Sequence, residues 1–268
     1  MDLFLSMCLL AVGCGGVFGA LWARQQQTQN AGIVDVGWAY AVGALLFAYA
    51  LIVPGNGWRQ AVIVACGGFW SLRLGMHILQ RYLTETKEDR RYRHLREHWG
   101  KAAGAKFFWF FQGQALAAVL LTAPLLPLFL FAEPPGIWTW AGAILILGAV
   151  VGEWRADAQL HRWRLNRANR GRTCRTGLWR YSRHPNYFFE WAHWLGYPVM
   201  ALDLWGTGSG GWIAVTVIPA LVMLALLLRG TGIPYTEKQA LRSRGEDYAR
   251  YQREVSAFVP WFPKKSGG

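Results

Sequence analysis

The chain has 268 residues, of which 53% are hydrophobic and only 16% charged, with a formal net charge of +13. Soluble domains carry roughly 25% charged residues, and here long runs have none while short stretches are dense in Arg, which excludes a single soluble globule. Apolar blocks also separate the basic clusters, which excludes one continuous basic face for nucleic acid and leaves basic loops beside a membrane.

The first apolar segment spans about 3–23. It has no positive n-region and no clear small-x-small site, so it reads as a retained helix, not a cleaved signal peptide. Cys8, Cys14, Cys66 and Cys174 have neither disulfide-framework nor zinc-site spacing.

The second segment, 32–53, opens with Val34-Asp35-Val36-Gly37-Trp38. Asp35 fits two roles. It is an interfacial N-cap, or an acid in lipid, where a carboxyl favours its neutral form and can donate to a carbonyl. The third segment, 59–80, carries His77 between Arg73 and Arg81, a structural or a functional histidine alike.

Between 81 and 106 the chain is basic, with Glu88-Asp89-Arg90-Arg91-Tyr92 as a lid or a solvated face. His94 and His98 lie one turn apart without carboxylates around them, so no metal site is expected. Gln112, near the start of the fourth segment (107–131), reaches either a cavity or a neighbouring helix.

After the fifth segment, 137–156, the stretch to 186 holds nine Arg from Arg155 to Arg183, opposed only by Asp157. Guanidinium groups make forked contacts with phosphate oxygens. The choice of Arg points to a phosphorylated ligand, with a lipid-headgroup patch as the competing explanation. No Gly-rich dinucleotide fingerprint follows a strand.

The sixth segment, 187–204, is led in by Gly177-Leu178-Trp179-Arg180-Tyr181-Ser182-Arg183-His184-Pro185-Asn186. Pro185 suits the first turn of a helix. Asn186 and Glu190 then share one face near its positive end. A carboxylate at that depth costs several kcal/mol unless it has partners, so Glu190 belongs to a ligand site or to an interhelical hydrogen bond. The seventh segment is 211–229. Beyond it Thr236–Val255 reads as an amphipathic helix with Tyr248 and Tyr251 on one face, followed by a short apolar anchor.

Cations alternate regularly between connectors: 81–106, 155–186 and the tail are basic, whereas 54–58, 132–136 and 204–210 are short and rich in Gly or Pro. The positive-inside rule then places the N-terminus outside and the C-terminus in the cytoplasm. The expected fold is an all-α seven-helix membrane bundle forming one domain over 1–268, in a bacterial inner membrane.

At these residues the chain resembles the steroid 5-alpha-reductase family, in its bacterial membrane branch. The likeness covers most of the chain and is strongest over about 153–200. It rests on Leu178, Trp179 and Tyr181 leading into Asn186 and Glu190, and on Asp157, Leu160, Arg164 and Arg172 upstream. Trp70-x-Leu72-Arg73-Leu74 and Glu88-Asp89-x-Arg91-Tyr92 add to it.

The resemblance implies an NADPH-dependent reductase of the carbon–carbon double bond of an apolar enone such as a 3-oxo-delta-4 steroid, entering from lipid. By that mapping Arg155, Asp157, Leu160, Arg164, Arg172, Tyr181, His184 and Asn186 contact the cofactor, with Tyr248 and Tyr251 as C-terminal candidates. Asp35, Glu190 and Tyr92 are the catalytic candidates; Trp38, His77, Arg81 and Gln112 line the substrate side. The chain departs from the family at two points. Asp35 stands where the family has a glutamate, and Ile78 where it has a tyrosine, so a second carbonyl donor is either missing or comes from elsewhere, with Tyr82, Tyr92 and Gln112 as candidates.

Arg183-His184-Pro185-x-Tyr187 also resembles membrane methyltransferases that bind S-adenosylmethionine. Those usually carry two acids after the last span, where Tyr235-Thr236-Glu237-Lys238 has one. A non-enzymatic transporter or lipid-binding protein is the remaining class.

Overall fold

The computed structural model describes residues 2–85, 87–230 and 232–264. Among them lie eleven α-helices, joined by short connections except for the long stretch 166–184 between the seventh and the eighth. Six helical stretches are long and apolar enough to cross a membrane, and they mark the chain as an integral membrane protein. The helices fall into two compact units, 1–136 and 137–268.

The first unit holds α1 (Leu3–Thr28), α2 (Ile33–Ile52), α3 (Gly57–Thr84), α4 (Arg90–Trp99), α5 (Ala103–Thr122) and α6 (Leu126–Leu130). Helices α2 and α3 pack through small residues, as apolar helices must when lipid offers no hydrophobic drive. A methyl group at Gly43 would sit 2.4 Å from Ser71 Oγ, and one at Gly75 would strike the Tyr40 ring. Ser71 Oγ donates to the Ala39 carbonyl at 2.7 Å, so the close approach also satisfies a hydroxyl.

Helix α1 meets α5 through polar side chains. Trp22 Nε1 donates to Gly104 O at 2.9 Å, and Gln112 Nε2 donates to Gly15 O at 3.2 Å. Gln112 is therefore an interhelical tie. The expected fourth span, 107–131, starts four residues earlier and ends at Thr122, because Pro124 and Pro127 tighten the chain into a 3-10 turn before the short α6.

The second unit holds α7 (Ile137–Leu165), α8 (Pro185–Ala201), α9 (Gly211–Arg229), α10 (Ile233–Arg244) and α11 (Glu246–Glu254). Helix α7 runs nine residues past its expected end at 156. Polar residues there stop the apolar run but not the helix, since hydropathy reports contact with lipid and Ala, Gln, Leu and Arg are good helix formers. Helices α7 and α8 pack antiparallel and close. A methyl at Gly142 would lie 2.4 Å from the Gly196 carbonyl, and one at Gly152 would strike Phe189.

Helix α8 has 17 residues, about 26 Å at 1.5 Å per residue, and it is not among the six apolar stretches. The expected single tail helix is two helices. Gly245, at φ +53°, breaks them where an L side chain would be strained.

Candidate functional site

In the second unit the apolar periodicity of two helices gives way to polar rows at their Arg-bearing end. On α7, Glu153, Asp157, Leu160 and Arg164 recur at helical spacing, and on α8 so do Asn186, Glu190, His193 and Tyr197. The packing brings the rows together. Asn186 Nδ2 donates to Asp157 Oδ1 at 3.3 Å, so two residues expected as cofactor contacts bond each other across the helices. Asn186 Oδ1 is buried with no hydrogen-bond partner among the described residues.

Glu190 is 8% exposed and accepts from Trp194 Nε1 at 3.2 Å; Tyr197 and His193 bond each other at 3.2 Å. Glu153, also buried, is not conspicuous in the sequence because a single acid at the end of an apolar run barely lowers its hydropathy.

At the tip of α7 a cavity of about 500 Å³ opens. Its lining includes Leu160, Trp163, Arg164, Arg167, Arg170 and Arg172, with Arg244 from α10, and no acidic residue. Arg167, Arg170, Arg172 and Arg244 have no carboxylate within ion-pair distance among the described residues. Five guanidinium groups around one apolar-floored hollow repel one another, and an anion with several oxygens is the complement that relieves the repulsion. Three of the expected cofactor contacts, Leu160, Arg164 and Arg172, therefore meet in one place. Arg155 is exposed on α7 and does not line the cavity.

The loop from this cavity to α8 is fixed by the C-terminal helices. Thr173 N–H donates to Asp247 Oδ2 at 2.7 Å, and Arg175 pairs with Glu254 at 2.8 Å. Burial opposes the Asp247 carboxylate, but Thr173 and Arg175 outweigh it and hold the group below its ordinary range. Gly177, at φ +58°, lets the backbone turn against Gln159, whose Oε1 accepts from Leu178 N–H at 2.8 Å.

Tyr251 is 1% exposed and donates to the Trp179 and Ser182 carbonyls. Tyr248 donates to Glu237 at 3.5 Å. Tyr251 thus braces the loop, and Tyr248 packs within the α10–α11 pair. Tyr181 presents its carbonyl to Trp261 N–H at 2.8 Å and its ring to Phe262.

Glu237 sits at the centre of this bracing. It accepts from Arg183 Nε at 2.6 Å and Gln252 Nε2 at 2.8 Å, and lies 3.2 Å from His184 Nε2 at the N-cap of α8. Burial opposes its charge, yet the bonds from His184 and Arg183 hold the carboxyl down to about 2. Burial lowers the proton affinity of His184 in spite of the adjacent Glu237. The sequence shows Glu237 only as a lone acid after the last apolar segment, with no mark of the 54 residues separating it from Arg183.

In the first unit Asp35 lies in the first turn of α2 and is not an isolated acid. Tyr92 donates to Asp35 Oδ1 at 2.6 Å, and Arg91 pairs with Oδ2 at 3.0 Å. Asp89 caps α4 through Arg91 N–H at 2.9 Å and pairs with Arg81 at 3.0 Å. Glu88 takes two bonds from Arg96 and one from Ala31 N–H, so the segment is neither a loose lid nor a solvated face.

Tyr92 is 3% exposed against Phe110. The one proton of its hydroxyl is given to Asp35, so the phenol can donate to a carbonyl oxygen on which charge develops by turning from that carboxylate. Trp38 packs edge-on against Trp70, whereas His77 is exposed on α3. Of the three expected sources of a second donor, Tyr92 is the one joined to Asp35.

No curated protein and no solved structure matches the chain. One family model, described as a protein of unknown function (DUF1295) and related to the steroid 5-alpha-reductase superfamily, matches residues 21–255. The match spans both units and every polar cluster described above, and the chain belongs to the DUF1295 family.

Proposed function

We propose that the chain is an NADPH-dependent membrane reductase of the carbon–carbon double bond of an apolar enone, with 3-oxo-delta-4 steroids as the model substrate. The observation that carries it is the acid-free cavity ringed by Arg164, Arg167, Arg170, Arg172 and Arg244, which suits a ligand with more than one phosphate. NADPH, when bound, supplies hydride to the β carbon.

The chain's own part is binding and polarisation. The arginines hold phosphate oxygens in forked contacts. Asn186 offers an unsatisfied buried carbonyl oxygen to an amide donor, and Glu190, oriented by Trp194, borders the same polar row. The donor the chain offers to a carbonyl oxygen is the Tyr92 hydroxyl, which acts by turning its one proton from Asp35 while Arg91 keeps the Asp35 charge balanced; a donor of this kind favours the enolate over the ketone. The substrate enters from lipid, and the basic connectors face the cytoplasm of a bacterial inner membrane.

A second reading, an S-adenosylmethionine-dependent methyltransferase, draws on Arg183 and His184 joined to Glu237. Titration of the full chain in nanodiscs with each nucleotide separates the two. NADPH should bind and raise the melting temperature, a ligand at 100 times its Kd adding about 2.7 kcal/mol, and steroid enones should then be reduced. Binding of S-adenosylmethionine in the absence of NADPH binding overturns the proposal.

A further inference from the structure

The arginine cavity has a wall that none of the recognised motifs covers. Ser243 and Arg244, the last residues of α10, face it together with Trp163 of α7. Arg244 is held in place from below: its guanidinium lies 4.9 Å over the ring of Tyr248, which is buried against Ala240, Tyr251 and Val255. The turn at Gly245 folds α11 back so that this ring can reach it.

Arg244 Nε is buried and has no hydrogen-bond partner among the described residues, and the same is true of Trp163 Nε1. A buried donor without an acceptor is costly, so two of them around one basic hollow mark where a ligand's acceptor oxygens belong. The stacking on Tyr248 fixes the guanidinium plane, which reduces the freedom lost when a phosphate is gripped.

We infer that Arg244, seconded by the Trp163 indole N–H, is a specificity-determining contact to a phosphate group of the bound ligand. This rests on the nucleotide reading above and adds to it the C-terminal side of the site. Through Arg244 the α10–α11 pair closes the cavity over phosphate, and Tyr248 acts by positioning that guanidinium. The chemistry required is a phosphate ester or diphosphate, which a soluble nucleotide and a lipid headgroup both carry.

The test is binding, read independently of turnover. The full chain in phosphatidylcholine nanodiscs is titrated with NADPH and with inorganic pyrophosphate. Arg244→Ala should weaken both about tenfold, the equivalent of one charged hydrogen-bonded contact. Arg244→Lys, which keeps the charge without the planar fork, should remain several-fold weaker than the native chain. Arg250→Ala, exposed on α11, should bind as the native chain does.

Native-like affinity in Arg244→Ala overturns the inference, and full rescue by Lys reduces Arg244 to an undirected charge and overturns it as well. If the variant instead keeps NADPH affinity but loses enrichment of phosphatidylglycerol in mixed nanodiscs, the phosphate is a headgroup and the nucleotide contact is wrong. A native chain that binds neither probe sinks the proposed function itself.

Discussion

Tyr92 and Asp35 show how much one hydroxyl can be asked to do. The 2.6 Å bond ties α4 to α2 and also aims a phenol that the family resemblance expected from α3. Tyr92→Phe keeps the ring packed against Phe110 and removes only the oxygen. The expected effect on enone reduction is a fall in kcat of roughly 10²–10³-fold with little change in KM, the usual cost of one oxyanion donor. Stability should fall by about 1.5–3 kcal/mol for the lost bond to a charged group. Steady-state kinetics beside thermal unfolding separate the two effects; an unchanged kcat removes Tyr92 from the chemistry and leaves it a tie between helices.

At this scale the sequence shows residue types but not partners. Asp35, Asn186 and Glu190 were legible because an acid or amide in an apolar run is conspicuous. Glu237 and Arg244 were not, because a charge in a charged stretch looks like any other; Arg91 was visible within Glu88-Asp89-x-Arg91-Tyr92, but its bond to Asp35, 56 residues away, was not.

Among the elements, the α10–α11 pair depends most on charge. Its contacts to the loop before α8 run through Glu237, Asp247 and Glu254, facing Arg183, His184 and Arg175. His184 and Glu237 have both lost proton affinity on folding, from ordinary values of 6.5 and 4.5. The unfolded chain therefore binds more protons on acidification, and stability falls as pH falls.

The contribution of His184 is present above about 6.5 and declines below it; that of Glu237 is present above 4.5 and is lost as pH drops towards 2. Hydrogen exchange should report this as loss of protection in α10 and α11 on acidification. Glu237→Ala strands Arg183 and His184 and should cost about 3–5 kcal/mol, while abolishing the lower step. Protection that is flat from neutrality to below 4.5 would contradict the assignment. The elements themselves were easier to foresee than their ends. All seven expected apolar segments contain helix, but α7 overran and the tail split at Gly245, because lipid contact sets the hydropathy pattern while capping and propensity set where a helix stops.

For the molecule as a whole, the parity of the crossings decides where the termini lie. Six stretches are apolar and long enough to cross, and six crossings would leave both termini on one side. By the positive-inside rule, the alternation of basic and cation-free connectors instead predicts that α8 crosses too, with the 155–186 stretch and the tail on one side and 204–210 on the other. Helix α8 is short for a bilayer core of about 30 Å. The 3-10 turn Leu202–Leu204 extends it, however, and Trp205, 77% exposed, sits just beyond, as an interfacial anchor does.

Its inward row of Asn186, Glu190, His193 and Tyr197 is buried or half-buried against protein, not exposed to lipid, so these polar groups do not bar a crossing. Reporter fusions at each terminus, or impermeant labelling of cysteines placed there, should find the N-terminus outside and the C-terminus in the cytoplasm. Both ends on the same side would mean an even number of crossings, and the seven-helix reading would fall.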